Sequence, residues 1–174
     1  MSSTRFRIFL TLAAIAALAM WPTRDWAQAV PQADTTHWRT WASLSFGPGN
    51  SNGVGRIGGM IALWGTHGTL ALSLRNADAS RVFDPGDTGD ISLLAGLHFL
   101  RERHADGVIV AGIGESYGHG TGGEDLESEP VIAASAQLNL NFEFVGVGLD
   151  AFAGVGSSHR YGGVGLALAV GWFR

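Results

Sequence analysis

From Trp38 onward, bulky apolar residues occupy every second position in one segment after another, and that period excludes most folds before any motif is considered. Trp38, Thr40, Ala42, Leu44 and Phe46 share one face, opposite Arg39, Trp41, Ser43 and Ser45. A period of two belongs to strands, whose successive side chains project to opposite faces, and not to helices, whose period is 3.6. The same split recurs with Leu70, Leu72 and Leu74 against Thr69, Ser73 and Arg75, and with Ile91, Leu93, Ala95, Leu97 and Phe99 against Asp90, Ser92 and His98. It returns in Ala134, Ala136, Leu138 and Leu140 against Ser135, Gln137, Asn139 and Asn141, then in Val145, Val147 and Leu149 against Gly146, Gly148 and Asp150. The last run sets Val164, Leu166, Leu168, Val170 and Trp172 against Gly163, Gly165, Ala167, Ala169 and Gly171. Two segments alternate less cleanly, 54–64 and 107–116, where both faces are apolar until Glu115.

The pattern predicts eight strands, at 38–46, 54–64, 69–75, 90–100, 107–116, 131–141, 144–153 and 161–173. The intervals 65–68, 101–106 and 142–143 are short, whereas 47–53, 76–89, 117–130 and 154–160 are longer. An up-and-down membrane barrel with a periplasmic N-terminus sorts its connections this way, into tight periplasmic turns and longer extracellular loops. All 26 Gly fall from Gly47 onward, a density that a helical bundle would not tolerate.

Polarity of the two faces decides between a soluble and a membrane barrel. A soluble barrel turns its apolar face inward; a membrane barrel turns it outward. Here the more polar face is built of Gly, Ala and Ser with a few charges, which suits a confined interior. The other is almost wholly large aliphatic, with Trp38, Phe46, Phe99, Phe142 and Trp172 expected at strand ends as interfacial aromatics. The reading is therefore all-β, an eight-stranded antiparallel up-and-down transmembrane β-barrel spanning 38–174. The chain also closes on an alternating strand with Trp172-Phe173 near its end, as outer-membrane barrels do, although Arg174 follows the aromatic pair.

The N-terminus reads as a targeting segment. Arg5 and Arg7 precede the apolar run Ile8–Met20, and a small-x-small site follows at Ala27-Gln28-Ala29. That is the anatomy of a secretory signal peptide over 1–29, leaving Val30 as the mature start and 30–37 as a short periplasmic segment. The run is too short for a membrane-spanning helix of about 20 residues. There is no Cys for a lipid anchor or a disulfide, and the eleven basic residues are all Arg, without the clustering of a nucleic-acid binder.

Gly89–Gly96, Val145–Phe152 and Tyr161–Leu168 together resemble, in their glycine spacing, a family of small secreted bacterial outer-membrane β-barrel proteins with no assigned activity. The resemblance covers the last half of the chain. It implies the fold and a Gram-negative outer-membrane location, and it assigns no site residue.

An eight-stranded lumen is just wide enough for side chains to fill it. Arg39, Arg56 and Arg75 are therefore expected to find carboxylates in Asp90, Asp150 or Glu115, with His98 hydrogen-bonded among them, because an unpaired charge there is costly. Such a plugged interior predicts a structural or surface-interaction role without a cofactor, in contact with outer-membrane lipids and, during insertion, with the barrel-assembly machinery. The alternative is an outer-leaflet lipid-modifying hydrolase or acyltransferase, with Ser157 or Ser158 as nucleophile and His159 or His119 oriented by Glu124. The His-x-Ser-Asn arrangement of lipid A deacylase barrels is absent. A small-solute pore would need a lumen emptier than one holding Trp41, Trp64, Arg39 and Arg56. The acidic run Glu124–Glu129 is a candidate for a divalent cation, although its spacing matches no known cation loop.

Overall fold

The computed structural model describes residues 37–81, 84–119 and 127–173, so the targeting segment and the core of the acidic loop lie outside the described residues. Eight strands follow one another: β1 Arg39–Ser51, β2 Val54–His67, β3 Leu70–Arg81, β4 Asp84–Arg101, β5 Ala105–His119, β6 Pro130–Phe142, β7 Val145–Val155 and β8 Arg160–Trp172. Each pairs antiparallel with the next, and β8 pairs with β1, closing an up-and-down barrel. Closure leaves no unpaired edge, the condition for strands to cross a hydrocarbon layer.

The ladders also fix how far the barrel shears. Trp41 pairs with Trp64, and the ladder continues through Ser73, Leu94, Gly112, Ala133, Gly154 and Tyr161 before returning to β1 at Ser51. One circuit thus advances ten residues along β1. That stagger tilts the strands to about 35–45° and brings residues far apart in number to the same level of the lumen.

Polarity is the reverse of a soluble protein. Leu93, Ile113, Ile132, Leu166 and Phe142 are among the large apolar side chains that face outward, whereas Arg39, Arg75, Asp90, Asp106, Asp150, Gln137 and Asn139 are buried inside. Exposed apolar surface on this scale has no stable place in water, but it is the ordinary outside of a membrane barrel.

Several strands run past the ends predicted from alternation, at the terminus end, where β2 reaches His67 and β5 begins at Ala105, and further on the side away from the termini. Residues 76–81 and 84–89, expected within a long loop, pair with each other as the tip of a β3–β4 hairpin. The expected loop 47–53 narrows to a turn at Asn52 and Gly53, with φ of 50° and 85°. That is the positive-φ pair of a tight hairpin turn. The apolar pattern stops where the lipid belt stops, while the hydrogen-bonded ladder continues. Phe46 consequently lies within β1, paired to Gly59 and Leu166, and not at a strand end. Trp38, Phe99, Phe142, Phe144 and Trp172 ring the terminus end, all exposed. The single ring includes Phe144, which the strand-end reading had not singled out.

Candidate functional site

Two polar clusters fill the lumen. Near the terminus end, Arg39 Nη1 on β1 donates to Asp106 Oδ1 on β5 at 2.9 Å. His98 Nε2 lies 2.6 Å from the same oxygen, and Asn141 Nδ2 donates to Asp106 Oδ2. Asp106 thus binds β1, β4 and β6 to β5 from a site only 1% exposed. It was expected to lie in the turn 101–106, and it is the residue the sequence reading missed. The turn is confined to 102–104, so Asp106 is already on the inward face of β5. A shift in pairing between His98 and Leu100 opposite it marks a bulge in β4, which leaves His98 inward and Phe99 outward.

Trp41 and Trp64 stack above, with ring centroids 5.9 Å apart and planes 13° from parallel. Their indole N–H groups are satisfied within the lumen, Trp41 by Gln137 Oε1 at 2.8 Å and Trp64 by Ser43 Oγ at 2.9 Å. Phe173 packs against Trp41 at 5.5 Å. These rings and their bonded polar ends fill the terminus half of the bore.

Arg75 on β3 organises the second cluster. Nη2 donates to both oxygens of Asp90, at 3.0 and 3.2 Å, and to the Ala153 carbonyl at 2.9 Å; Nη1 donates to the Ala134 carbonyl and to Ser135 Oγ. The guanidinium carbon lies 5.9 Å from the centre of the Phe152 ring, a cation–π distance. Phe152 lies over Gly58 and Gly163. A Cβ at either glycine would come within 3.0 Å of the ring, so these positions have room for a lumenal aromatic only because they carry no side chain.

The remaining sequence candidates are placed as follows. Asp150 is buried on the inward face of β7 but is bound to no Arg, because Arg75 is engaged by Asp90. Arg56 is half-buried on the inward face of β2 toward the loop end. Glu115 is a correction: it sits on the outward face of β5, exposed, where Ser128 Oγ donates to it, because inward positions on this strand are the even-numbered ones. Glu124 and Asp125 lie outside the described residues, as does the side chain of His119. Among the described residues, no group of three or more His, Asp or Glu side chains is arranged to hold a metal ion.

At the loop end a carboxylate is clasped by the chain's own amides. Glu129 accepts from the backbone N–H of Ser157, Ser158 and His159, at 2.9–3.1 Å, from Ser157 Oγ, and from His159 Nδ1 at 2.9 Å. Consecutive N–H groups converging on one anion form a nest, and a side chain on Gly156 would collide with the Glu129 carboxylate. This bears directly on the nucleophile reading. Ser157 gives its hydroxyl hydrogen to Glu129 and not to an imidazole, and the group orienting His159 is Glu129.

These donors, the Ser157 hydroxyl foremost and then the Ser158 N–H and His159, hold the Glu129 carboxyl at about 2, well below its ordinary value. A carboxyl lowered by folding stabilises the clasp fully above pH 4.5 and loses that contribution as pH falls through about 2. Amide exchange at Ser158 and His159 should therefore stay slow at pH 4, and Glu129→Gln should raise it at neutral pH. Equal exchange in the two proteins would show that the nest does not depend on the charge.

No family model and no curated protein matches the sequence. Solved structures do. Neisserial surface protein A is similar at 11% identity with a TM-score of 0.57, over 76% of this chain and 96% of that one. Ail, the attachment invasion locus protein of Yersinia pestis, is similar at 14% identity with a TM-score of 0.52, over 77% of this chain and 96% of that one. The chain is an eight-stranded transmembrane β-barrel. Identities this low carry the fold and no residue roles. The packed lumen of the barrel is described by its own side chains.

Proposed function

We propose that this protein is a plugged outer-membrane barrel of a Gram-negative bacterium, delivered by signal-peptide export, whose role is structural or surface-interacting. One observation carries the reading: the lumen is crossed by the Arg39–Asp106 and Arg75–Asp90 pairs and by stacked Trp41 and Trp64. An eight-stranded bore has no width to spare once such groups fill it. What is left to present to the outside is the loop end, where the β3–β4 hairpin tip and the clasped Gly156–His159 loop stand above the apolar belt. The likeness to proteins named for the bacterial surface and for attachment supports this reading. Outer-membrane lipids are then its permanent neighbours, and the barrel-assembly machinery is its partner during insertion.

Refolded protein in a planar bilayer is expected to show no sustained ion conductance. Stable, reproducible open steps from the purified monomer would replace this reading with that of a small-solute pore.

A further inference from the structure

Asp150 is the one lumenal carboxylate without a donor among the described residues. It is 3% exposed, and neither of its side-chain oxygens has a hydrogen-bond partner. Its neighbours in the ladders are Gln137 on β6, whose amide nitrogen makes no bond to it, and Gly165 on β8, which has no side chain to offer. The Ser45 hydroxyl on β1 lies alongside, outside hydrogen-bond geometry.

Charge around it does not balance either. Arg75, from β3, is the cation that acts on Asp150 across the lumen. Yet its two terminal nitrogens are taken by both oxygens of Asp90 on β4, by Ser135 Oγ, and by the Ala134 and Ala153 carbonyls. Tyr161, on β8, lies beside Asp90 and brings no positive charge. Arg56, the inward cation of β2, stands toward the loop end, paired with Gly49 of β1, and is not a charge that acts on Asp150. The inward residues of β5 from Val108 to Ser116, and those of β6 from Val131 to Gln137, are uncharged. The Arg75–Asp90 pair is thus neutral as a unit, and an ionised Asp150 would be a second negative charge with nothing bound to it. A bare carboxylate removed from water is among the costliest groups a fold can hold, and it is relieved by neutralisation.

We propose that Asp150 is a proton-binding site inside the barrel, folded into the lumen as the neutral carboxyl beside a self-contained Arg75–Asp90 pair. The inference does not depend on the barrel's role at the surface. It makes Asp150 a point at which alkalinity acts on the fold. The folded chain retains a proton that the unfolded chain, with an ordinary solvated carboxyl, has released, so raising the pH draws the equilibrium toward the unfolded side.

Thermal unfolding of the refolded barrel, followed from mildly acidic to alkaline pH, tests this with Asp150→Asn, an uncharged mimic of the protonated group. The variant is expected to melt with the wild type at about pH 4, where the carboxyl holds its proton folded and unfolded alike, and to melt increasingly above it as the pH is raised. Infrared spectra should show a protonated-carboxyl carbonyl band in the folded wild type at neutral pH, lost in Asp150→Asn. If the Asn variant does not fold, the wild-type band, present when folded and gone on unfolding, decides alone. A large drop in melting temperature for Asp150→Asn at neutral pH would overturn the proposal, as would absence of the band. Stability that follows sodium or calcium concentration and not pH would overturn it too, because the site would then hold a metal cation.

Discussion

Leu166→Arg should abolish stable insertion of the barrel. Leu166 is 68% exposed on the outward face of β8, paired with Phe46 and Leu149 in the middle of the apolar belt. A cation on the lipid face near the bilayer midplane costs about 2–4 kcal/mol, a large share of the 5–15 kcal/mol that typically separates folded from unfolded chains. Folding into lipid vesicles, read by the shift in gel mobility between folded and heated samples, should fail or fall several-fold. The inward control is Ser92→Ala, which removes a buried hydroxyl without adding charge or volume and should insert as the wild type does. Arg at Ser92 is no mild counterpart, because that side chain is 1% exposed within the filled lumen. Equal insertion of Leu166→Arg and Ser92→Ala would mean that the outward face is not lipid-facing.

Arg75→Met should be comparably damaging for the opposite reason, since it acts from inside. It removes the cation that holds Asp90 and empties the bonds to Ser135, Ala134 and Ala153, leaving a buried carboxylate uncompensated. Breaking a buried pair in this way costs about 3–5 kcal/mol. Adding Asp90→Asn to Arg75→Met should recover part of the loss, because the stranded charge goes with it. Glu127→Ala, at an exposed position, should leave the melting temperature unchanged. If Arg75→Met melts with Glu127→Ala, the pair contributes nothing to the fold.

These predictions rest on features of unequal visibility in the sequence. The faces of the strands were legible, because lipid imposes a large apolar residue at each outward position and a narrow lumen imposes small or polar ones inside. Alternation in 90–100 is therefore enough to place Ser92 inward and Leu93 outward. Lumenal partners were not legible, because they depend on the ten-residue stagger of the closed sheet and not on sequence distance. Arg39 reaches Asp106 from the far side of the bore, and nothing near either residue announces it. Asp106 lay beyond the last alternating residue of its strand, in what reads as a turn. Asp150, equally acidic and equally inward, lies at a level where Arg75 is already bound. The loop end escaped notice for a related reason. Past the lipid belt no solvent imposes alternation, so the paired segments 76–81 and 84–89 read as loop although they are strand.

The central claim, an apolar outside in lipid around a packed inside, is most directly tested by methyl NMR of the wild-type barrel in lipid nanodiscs carrying a membrane-embedded paramagnetic probe. Along β4 and β5 the account predicts strong broadening of the outward methyls of Ile91, Leu93, Leu97, Ile109 and Ile113. The inward methyls of Leu94, Val108 and Val110, each 2% exposed or less, should stay sharp. Uniform broadening of both sets, or broadening of the inward set alone, would contradict it.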